Sequence, residues 1–123
     1  MTALVVIPTH QEAQNIAAVL SAVRDHAKGI HVLVIDDAST DGTGDIARSF
    51  NTADFNVTVI ERPTKNGLGD AYRHGFQYAL DNGYEVVAEM DADLSHDPRV
   101  LPELVAIASM GIDLAIGSRY VPG

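Results

Sequence analysis

Residues 3–35 read ALVVIPTHQEAQNIAAVLSAVRDHAKGIHVLVI and contain two short apolar runs, at 3–7 and 31–35. Between these runs, Ile16, Val19, Leu20 and Val23 follow the i, i+3, i+4, i+7 spacing of an amphipathic helix. An apolar run, a helix and a second apolar run make a βαβ unit, and its right-handed crossover makes the two strands parallel. The stretch therefore predicts an α/β fold.

The same alternation continues along the chain, with further apolar runs at 56–60, 85–90 and 113–116. Two more helical stripes are present: Tyr72, Phe76, Ala79 and Leu80, and Leu101, Leu104, Val105 and Ala108. A weaker helix is expected at about 44–50, Asp97-Pro98 is typical of a helix start, and Gly111 of a helix end. We expect one Rossmann-like domain, residues 1–123, with a mostly parallel sheet and helices on both faces. The run at 113–116 should be an interior strand, and because no helix follows it we expect the chain to be part of something larger.

Composition narrows the class of protein. The chain has 8 basic and 17 acidic residues and a net charge of −9, which argues against nucleic-acid binding and against purely electrostatic docking to an anionic membrane. It has no cysteine, which excludes disulfides, thiolate nucleophiles and Cys-ligated zinc and fits a reducing compartment. No apolar run approaches the roughly 20 residues of a membrane span, and no basic segment precedes the first run. We therefore expect a cytoplasmic protein.

An acidic pair, Asp91 and Asp93, directly follows the apolar run that ends at Met90. Hard divalent cations such as Mg²⁺ or Mn²⁺ prefer oxygen ligands and usually share them with substrate phosphates. Ligands of open α/β sheets bind outside the carboxyl ends of the strands. The pair therefore predicts a metal-bridged phosphate site, the alternative being that both acids cap a helix or stay solvated in a turn.

Polar clusters also follow the first two strands. Glu12 lies near a helix start, where the helix dipole favours a carboxylate, so capping explains it about as well as ligand contact. The adjacent acids Asp36 and Asp37 repel each other unless a positive or strongly hydrogen-bonding group faces them. An acid at this place can accept hydrogen bonds from ribose hydroxyls or a base. Ser39 and Asp41 are assigned mainly to turn and cap structure.

Basic and glycine-rich segments follow the third and fifth strands. Lys65, Gly67 and Gly69 suit a loop that approaches phosphate or ribose through its backbone, although the glycine spacing matches neither a P-loop nor a dinucleotide fingerprint. Arg119 could bind a phosphate in bidentate fashion or pair with a local carboxylate. His96 is expected to bond the backbone or an acceptor rather than a metal, because oxygen-rich sites have little use for nitrogen. His10 and the other histidines show no ligand spacing and are taken as ordinary polar residues.

In this order, the clusters resemble the family-2 inverting glycosyltransferases of GT-A fold, and most of all the dolichol-phosphate (polyprenol-phosphate) mannosyltransferases. The matching segments are 6–9 with Glu12, 34–37 with 41–43, 65–69 with Ala71, 90–96 with Pro98, and 117–121. The resemblance spans nearly the whole chain, but the family continues into acceptor-binding and membrane-docking segments. It therefore covers the nucleotide-sugar-binding half only.

The resemblance implies roles for individual residues. Asp91 and Asp93 would contact the metal and the donor diphosphate, and Ser95 (often Gln in relatives) would complete the metal shell. Arg119 would face a phosphate. The expected catalytic residues are therefore Asp91, Asp93 and Arg119. The nucleotide-binding residues would be Pro8, Glu12, Asp37, Lys65, Gly69, Asp91 and Ala92. His10 and Gln11 stand where the family usually has Tyr and Asn.

The activity that the resemblance implies is transfer of mannose from GDP-mannose to a polyprenol or dolichol phosphate, assisted by Mg²⁺ or Mn²⁺. Peripheral membrane association would come through the absent segments or a partner, and the 123-residue chain alone should be inactive. The alternatives are a family-2 transferase that uses a UDP-sugar and a non-catalytic nucleotide-binding fragment. A nucleotidyltransferase would need a Gly-rich basic loop after its first strand, and residues 8–12 contain neither glycine nor Lys or Arg. A receiver-type signalling domain is remote, because its acidic pair should close the first strand rather than the second.

Overall fold

The computed structural model describes residues 3–93, 99, 102, 114–115 and 121–122. Within these residues the elements, in chain order, are β1 (Ala3–Thr9), α1 (Ile16–His26), β2 (His31–Asp37), α2 (Thr43–Arg48), β3 (Val57–Arg62), α3 (Leu68–Asp81), β4 (Val86–Glu89), β5 (Leu114–Ala115) and β6 (Val121–Pro122). Strands alternate with helices from β1 to β4, as the apolar runs predict.

The strands β1 to β4 form one parallel sheet in the order β3-β2-β1-β4. The register pairs Thr9 with Asp36 and Asp37 with Arg62, so the carboxyl ends of β1, β2 and β3 meet at one edge. Strand order reverses between β1 and β4. In doubly wound sheets this reversal opens the crevice in which ligands bind.

Every residue of β1, and every residue of β2 after His31, is buried. Both strands are covered on both faces, which explains their continuous apolar runs. Val5 and Ile7 face one core cluster, which includes residues of α1 and α2. Leu4 and Val6 face a second cluster, which includes Ala71 and Ala79 of α3. The predicted parallel sheet with helices on both faces is confirmed.

The two predicted helical stripes within the described residues have different outcomes. All four stripe residues of α1 are buried, as expected. On α3 the buried residues are Ala71, Gly75 and Ala79, whereas Phe76 is 40% and Leu80 74% exposed, so that stripe is wrong in part. The reason is close packing: a Cβ on Gly75 would lie 2.5 Å from Cγ1 of Val6. Small residues face the sheet, and the larger apolar ones flank the contact.

The expectation of an interior strand at 113–116 is not met by its described residues. Leu114–Ala115 pairs in antiparallel fashion with Val121–Pro122, in a two-stranded sheet separate from the parallel one. The β-branched Val121 follows within hairpin distance and gives the short run a local partner. Several expectations lie outside the described residues, namely those on the 101–108 stripe, Ser95, His96, Asp97-Pro98, Gly111 and Arg119.

Candidate nucleotide and metal site

A cavity of about 290 Å³ lies at the carboxyl edge of the sheet. Its walls come from the end of β1, the end of β2, the loop between β3 and α3, and the segment after β4. The lining residues are Pro8, Thr9, His10, Glu12, Asp37, Lys65, Gly67, Leu68, Asp91, Ala92 and Asp93. The cavity therefore occupies the crevice that the reversal of strand order between β1 and β4 creates.

The adjacent acids at the end of β2 have different partners. Asp36 is 1% exposed, and its Oδ1 accepts hydrogen bonds from Oγ1 of Thr9 and Oγ of Ser39, each at 2.6 Å. Asp37 receives Nε of Arg62 on Oδ1 at 2.5 Å and Nη2 on Oδ2 at 2.8 Å. Successive residues of a strand point to opposite faces, so each carboxylate has its own set of donors. These donors provide the hydrogen bonds and the positive charge that offset the repulsion between the two adjacent carboxylates.

Arg62 ties the end of β2 to the start of α3. Its Nη1 binds Oδ2 of Asp70 at 2.7 Å, and the side chains of Arg62 and Asp37 are only 8% and 7% exposed. Burial alone would raise the pKa of Asp37, but the hydrogen bonds from Arg62 and from the Asn66 N–H, with the charge of Arg62, lower it below its ordinary value. Asp37 is therefore ionised in the cavity wall and fixed in orientation.

The loops after β1 and β2 interlock. The Gln11 N–H donates to Oγ of Ser39 at 2.8 Å, and the Gln11 side chain exchanges hydrogen bonds with Thr40 at 2.9 and 3.0 Å. Gln11 and Ala38 both have positive φ, 55° and 52°, which is uncommon for residues other than glycine. Such backbone persists when surrounding contacts over-determine it. Here the contacts between the loops do so, and Gln11 lies directly between the cavity residues His10 and Glu12.

His10 is a cavity residue that the sequence reasoning passed over. Its Nδ1 lies 2.5 Å from the carbonyl oxygen of Asp37. A carbonyl oxygen only accepts, so Nδ1 carries the proton, and in the neutral ring Nε2 is then an acceptor. The signal that could have found it is its position directly after β1, at the same sheet edge as the acids.

The acidic pair after β4 reaches the cavity. Ala92 is buried, and Asp91 and Asp93 line the opening. The hydroxyl of Tyr72, on α3, donates to Oδ1 of Asp91 at 2.9 Å. Tyr72 appeared in the sequence only as a member of an apolar stripe.

The chemistry of the site fits a hard cation that substrate helps to bind. Within the described part of the chain, no group of three or more His, Cys, Asp or Glu side chains could hold a metal ion. Two carboxylates are too few for an all-protein site, but Mg²⁺ is commonly bound by one or two carboxylates together with substrate phosphates and water. Lys65 lines the same cavity and offers a positive charge for such phosphates.

The structure brings most of the predicted site residues together: Pro8, Glu12, Asp37, Lys65, Asp91, Ala92 and Asp93 all line the cavity. Gly69 is an exception, because it lies exposed in the first turn of α3, while Gly67 and Leu68 line the wall. Arg119 and Ser95 lie outside the described residues. The roles of all these residues stay predictions.

The family model described as glycosyl transferase family 2 matches residues 4–123. An undecaprenyl-phosphate mannosyltransferase of Micrococcus luteus is 49% identical over 123 residues, which are 100% of this chain and 50% of the relative. A polyprenol monophosphomannose synthase of Mycolicibacterium smegmatis is 48% identical, over 98% of this chain and 46% of the relative. A dolichol-phosphate mannosyltransferase of Pyrococcus furiosus is 38% identical, over 100% of this chain and 34% of the relative. The chain thus spans about half the length, or less, of these curated relatives.

Solved structures with the same fold include a mannosyltransferase from Pyrobaculum calidifontis in complex with GDP-Man and Mn²⁺. It matches with a TM-score of 0.56 and 28% identity, over 63% of this chain and 24% of that one. A second match is a glucosyl-3-phosphoglycerate synthase from Mycobacterium tuberculosis in complex with Mn²⁺, UDP and glucosyl-3-phosphoglycerate. Its TM-score is 0.66 and its identity 23%, and the match covers 87% of this chain and 39% of that one. At that identity the second match speaks for the fold alone. Both neighbours are GT-A glycosyltransferases.

Proposed function

Since this chain belongs to glycosyl transferase family 2, we propose that it is the nucleotide-sugar-binding GT-A domain of an inverting mannosyltransferase. The donor is GDP-mannose, and the acceptor is a polyprenol or dolichol phosphate. Residues 1–123 supply the donor half, and the remainder of the intact enzyme supplies the acceptor half. The relatives' printed names support the sugar and the acceptor, and the GDP-Man complex of the Pyrobaculum enzyme supports the donor.

One observation carries the proposal: a single cavity combines Asp91 and Asp93 with Lys65 and the buried, ionised Asp37. Asp37 would accept hydrogen bonds from the base or ribose of the donor. Lys65 would neutralise part of the diphosphate charge. Asp91 and Asp93 would hold Mg²⁺ or Mn²⁺ against that diphosphate, with Ser95 as a further oxygen ligand and Arg119 facing a phosphate.

The chemistry of the acceptor explains why no dedicated base is needed. A lipid phosphate is largely anionic near neutral pH, because its second pKa is about 6. It can attack the anomeric carbon directly, and the main demand is stabilisation of charge on the leaving diphosphate. A divalent cation, when bound, supplies that stabilisation as a Lewis acid. The chain's own residues orient the donor and keep both phosphates in place.

The proposal places the intact enzyme at the cytoplasmic face of a membrane, where a polyprenol phosphate is presented. None of the helices that the structure describes is both long and apolar enough to cross a bilayer. Contact with the membrane would come from other segments of the intact enzyme or from a partner. The chain alone should bind nucleotide weakly and transfer little sugar.

A thermal-shift panel tests donor and metal together. The chain is heated with GDP-mannose, UDP-glucose, GDP or UDP, each with and without Mn²⁺. A ligand that binds the folded state raises the melting temperature, and we expect GDP-mannose and GDP to do so, most strongly with Mn²⁺. Stabilisation by uridine nucleotides alone would replace the donor with a UDP-sugar. Stabilisation by none of the four, with or without metal, would contradict the proposal.

A further inference from the structure

Tyr72 and Asp91 come from different elements but are positioned through the same residue of the central strand β1. The helix of Tyr72 packs so closely on β1 that a Cβ added to Gly75 would lie 2.5 Å from Cγ1 of Val6. The side chain of Val6 thus contacts α3, and its backbone contacts the segment after β4: the backbone N–H of Met90 donates to the carbonyl oxygen of Val6 at 3.0 Å. Asp91 follows Met90 directly, so the helix and the acid are both anchored at Val6.

The hydrogen bond between the Tyr72 hydroxyl and Oδ1 of Asp91, at 2.9 Å, is therefore made between two well-anchored groups. An ionised carboxylate has about four lone-pair sites, and the Tyr72 phenol occupies one of those on Asp91. The bond restricts rotation of the carboxylate about its terminal torsion, which is otherwise broad. Metal-ligating carboxylates are themselves commonly hydrogen-bonded, and loss of the partner typically costs about 10–100-fold in metal affinity or activity.

Tyr72 could instead serve only to pack the core. Its ring is partly buried against the cluster that contains Leu4, Val6 and Ala71. A phenylalanine would satisfy that packing equally well. Tyr72→Phe removes the hydroxyl and leaves the ring, and so separates the two roles.

We propose that Tyr72 is a positioning residue of the donor site, which acts through Asp91 by orienting its carboxylate for the divalent cation. This inference rests on the proposed function, because it needs the cation to bind at Asp91. It assigns to helix α3 a part in metal binding that the motif after β4 does not contain.

The test compares Tyr72→Phe with the wild-type chain and with Tyr78→Phe. Tyr78 lies on the same helix, but its ring stacks on Tyr84, at 6.5 Å between centroids. Mn²⁺ is titrated in the presence of saturating GDP, and in parallel saturating UDP, and free Mn²⁺ is followed by electron paramagnetic resonance. Binding of the same nucleotides without metal and the melting temperature of each variant are measured as well.

We expect Tyr72→Phe to weaken Mn²⁺ binding by about tenfold or more, with metal-free nucleotide affinity and melting temperature close to wild type. Tyr78→Phe should bind Mn²⁺ as the wild type does. Wild-type Mn²⁺ affinity in Tyr72→Phe would overturn the inference, as would an equal loss in Tyr78→Phe or an equal loss of metal-free nucleotide binding. A wild-type chain that binds nucleotide but no Mn²⁺ would overturn the metal part of the proposed function as well, so the wild-type titration tells the two failures apart.

Discussion

The substitution Arg62→Met removes the partner of a buried carboxylate. The side chains of Arg62 and Asp37 are 8% and 7% exposed and are joined by two hydrogen bonds, of 2.5 and 2.8 Å. Methionine keeps much of the unbranched stem but removes the guanidinium, so Asp37 remains buried without its counter-charge. Breaking a buried pair in this way costs about 3–5 kcal/mol. Because a typical domain is stabilised by only about 5–15 kcal/mol, this loss would be a large part of the total.

Arg48→Met is the matched control. Arg48 also contacts two carboxylates, those of Asp45 and Glu61, but its side chain is 44% exposed. Exposed pairs of this kind contribute about 0–1 kcal/mol. Both variants delete one guanidinium that bridges two acids, so the comparison isolates the effect of burial.

Urea denaturation at pH 7, followed by circular dichroism, gives the free energy of unfolding of each variant. We expect the loss for Arg62→Met to exceed the loss for Arg48→Met by at least about 2 kcal/mol. In a double-mutant cycle, Arg62→Met with Asp37→Asn should lose less than the sum of the two single variants, since the residues are in direct contact. Equal losses for the two arginine variants would show that burial adds nothing to the Arg62–Asp37 pair, and additive losses in the cycle would show that the two residues are not coupled.

Three further predictions concern acid sensitivity, helix packing and turnover. The pKa of Asp37 is lowered in the folded state, so the unfolded chain binds more protons in acid. The stability that this shift contributes is complete above about pH 4 and is lost as pH falls through the folded pKa. Asp37→Asn should therefore flatten the acid limb of a curve of unfolding free energy against pH. Gly75→Ala should lower the melting temperature, because overpacking against Val6 costs about 1–3 kcal/mol and outweighs a gain in helix propensity of about 1 kcal/mol. Gly69→Ala is the control: no atom lies within 4 Å of the new Cβ, so the melting temperature should stay equal or rise. A rise for Gly75→Ala would contradict the close packing of Gly75 on Val6. Asp91→Asn or Asp93→Asn in the intact enzyme should abolish turnover while circular dichroism and melting stay near wild type, and near-normal turnover of either purified variant would remove the assignment.

The architecture could be predicted because burial leaves a simple mark on the sequence. The strands at 3–7 and 31–35 lie between two layers of helices and are apolar throughout, and the four-residue stripe of α1 faces one layer only. Asp91 and Asp93 were found because parallel strands bring their polar ends to one edge, whereas Asp37 was chosen over Asp36 only through the family resemblance. The topology thus turned separate motifs into one predicted site.

Other features depend on contacts that no local pattern encodes. Of the adjacent acids it is Asp37 that lines the cavity, and Arg62, the buried partner that holds it there, is 25 residues away along the chain. Tyr72 and Asp91 are 19 residues apart and meet only because α3 packs on β1. The small residue Gly75 determines that packing, whereas the stripe reasoning weighted the large side chains Phe76 and Leu80, which flank the contact. Close backbone approach favours glycine, which carries no hydrophobic signal.

The central claim is that Asp91 and Asp93 bind a divalent cation together with the diphosphate of the donor. Anomalous diffraction from crystals soaked with GDP and Mn²⁺ tests it directly, because manganese is located independently of the nucleotide. We expect one manganese peak within coordination distance of both carboxylates and of the diphosphate, with the base beside Asp37. A nucleotide bound elsewhere, or a manganese peak away from Asp91 and Asp93, would contradict it.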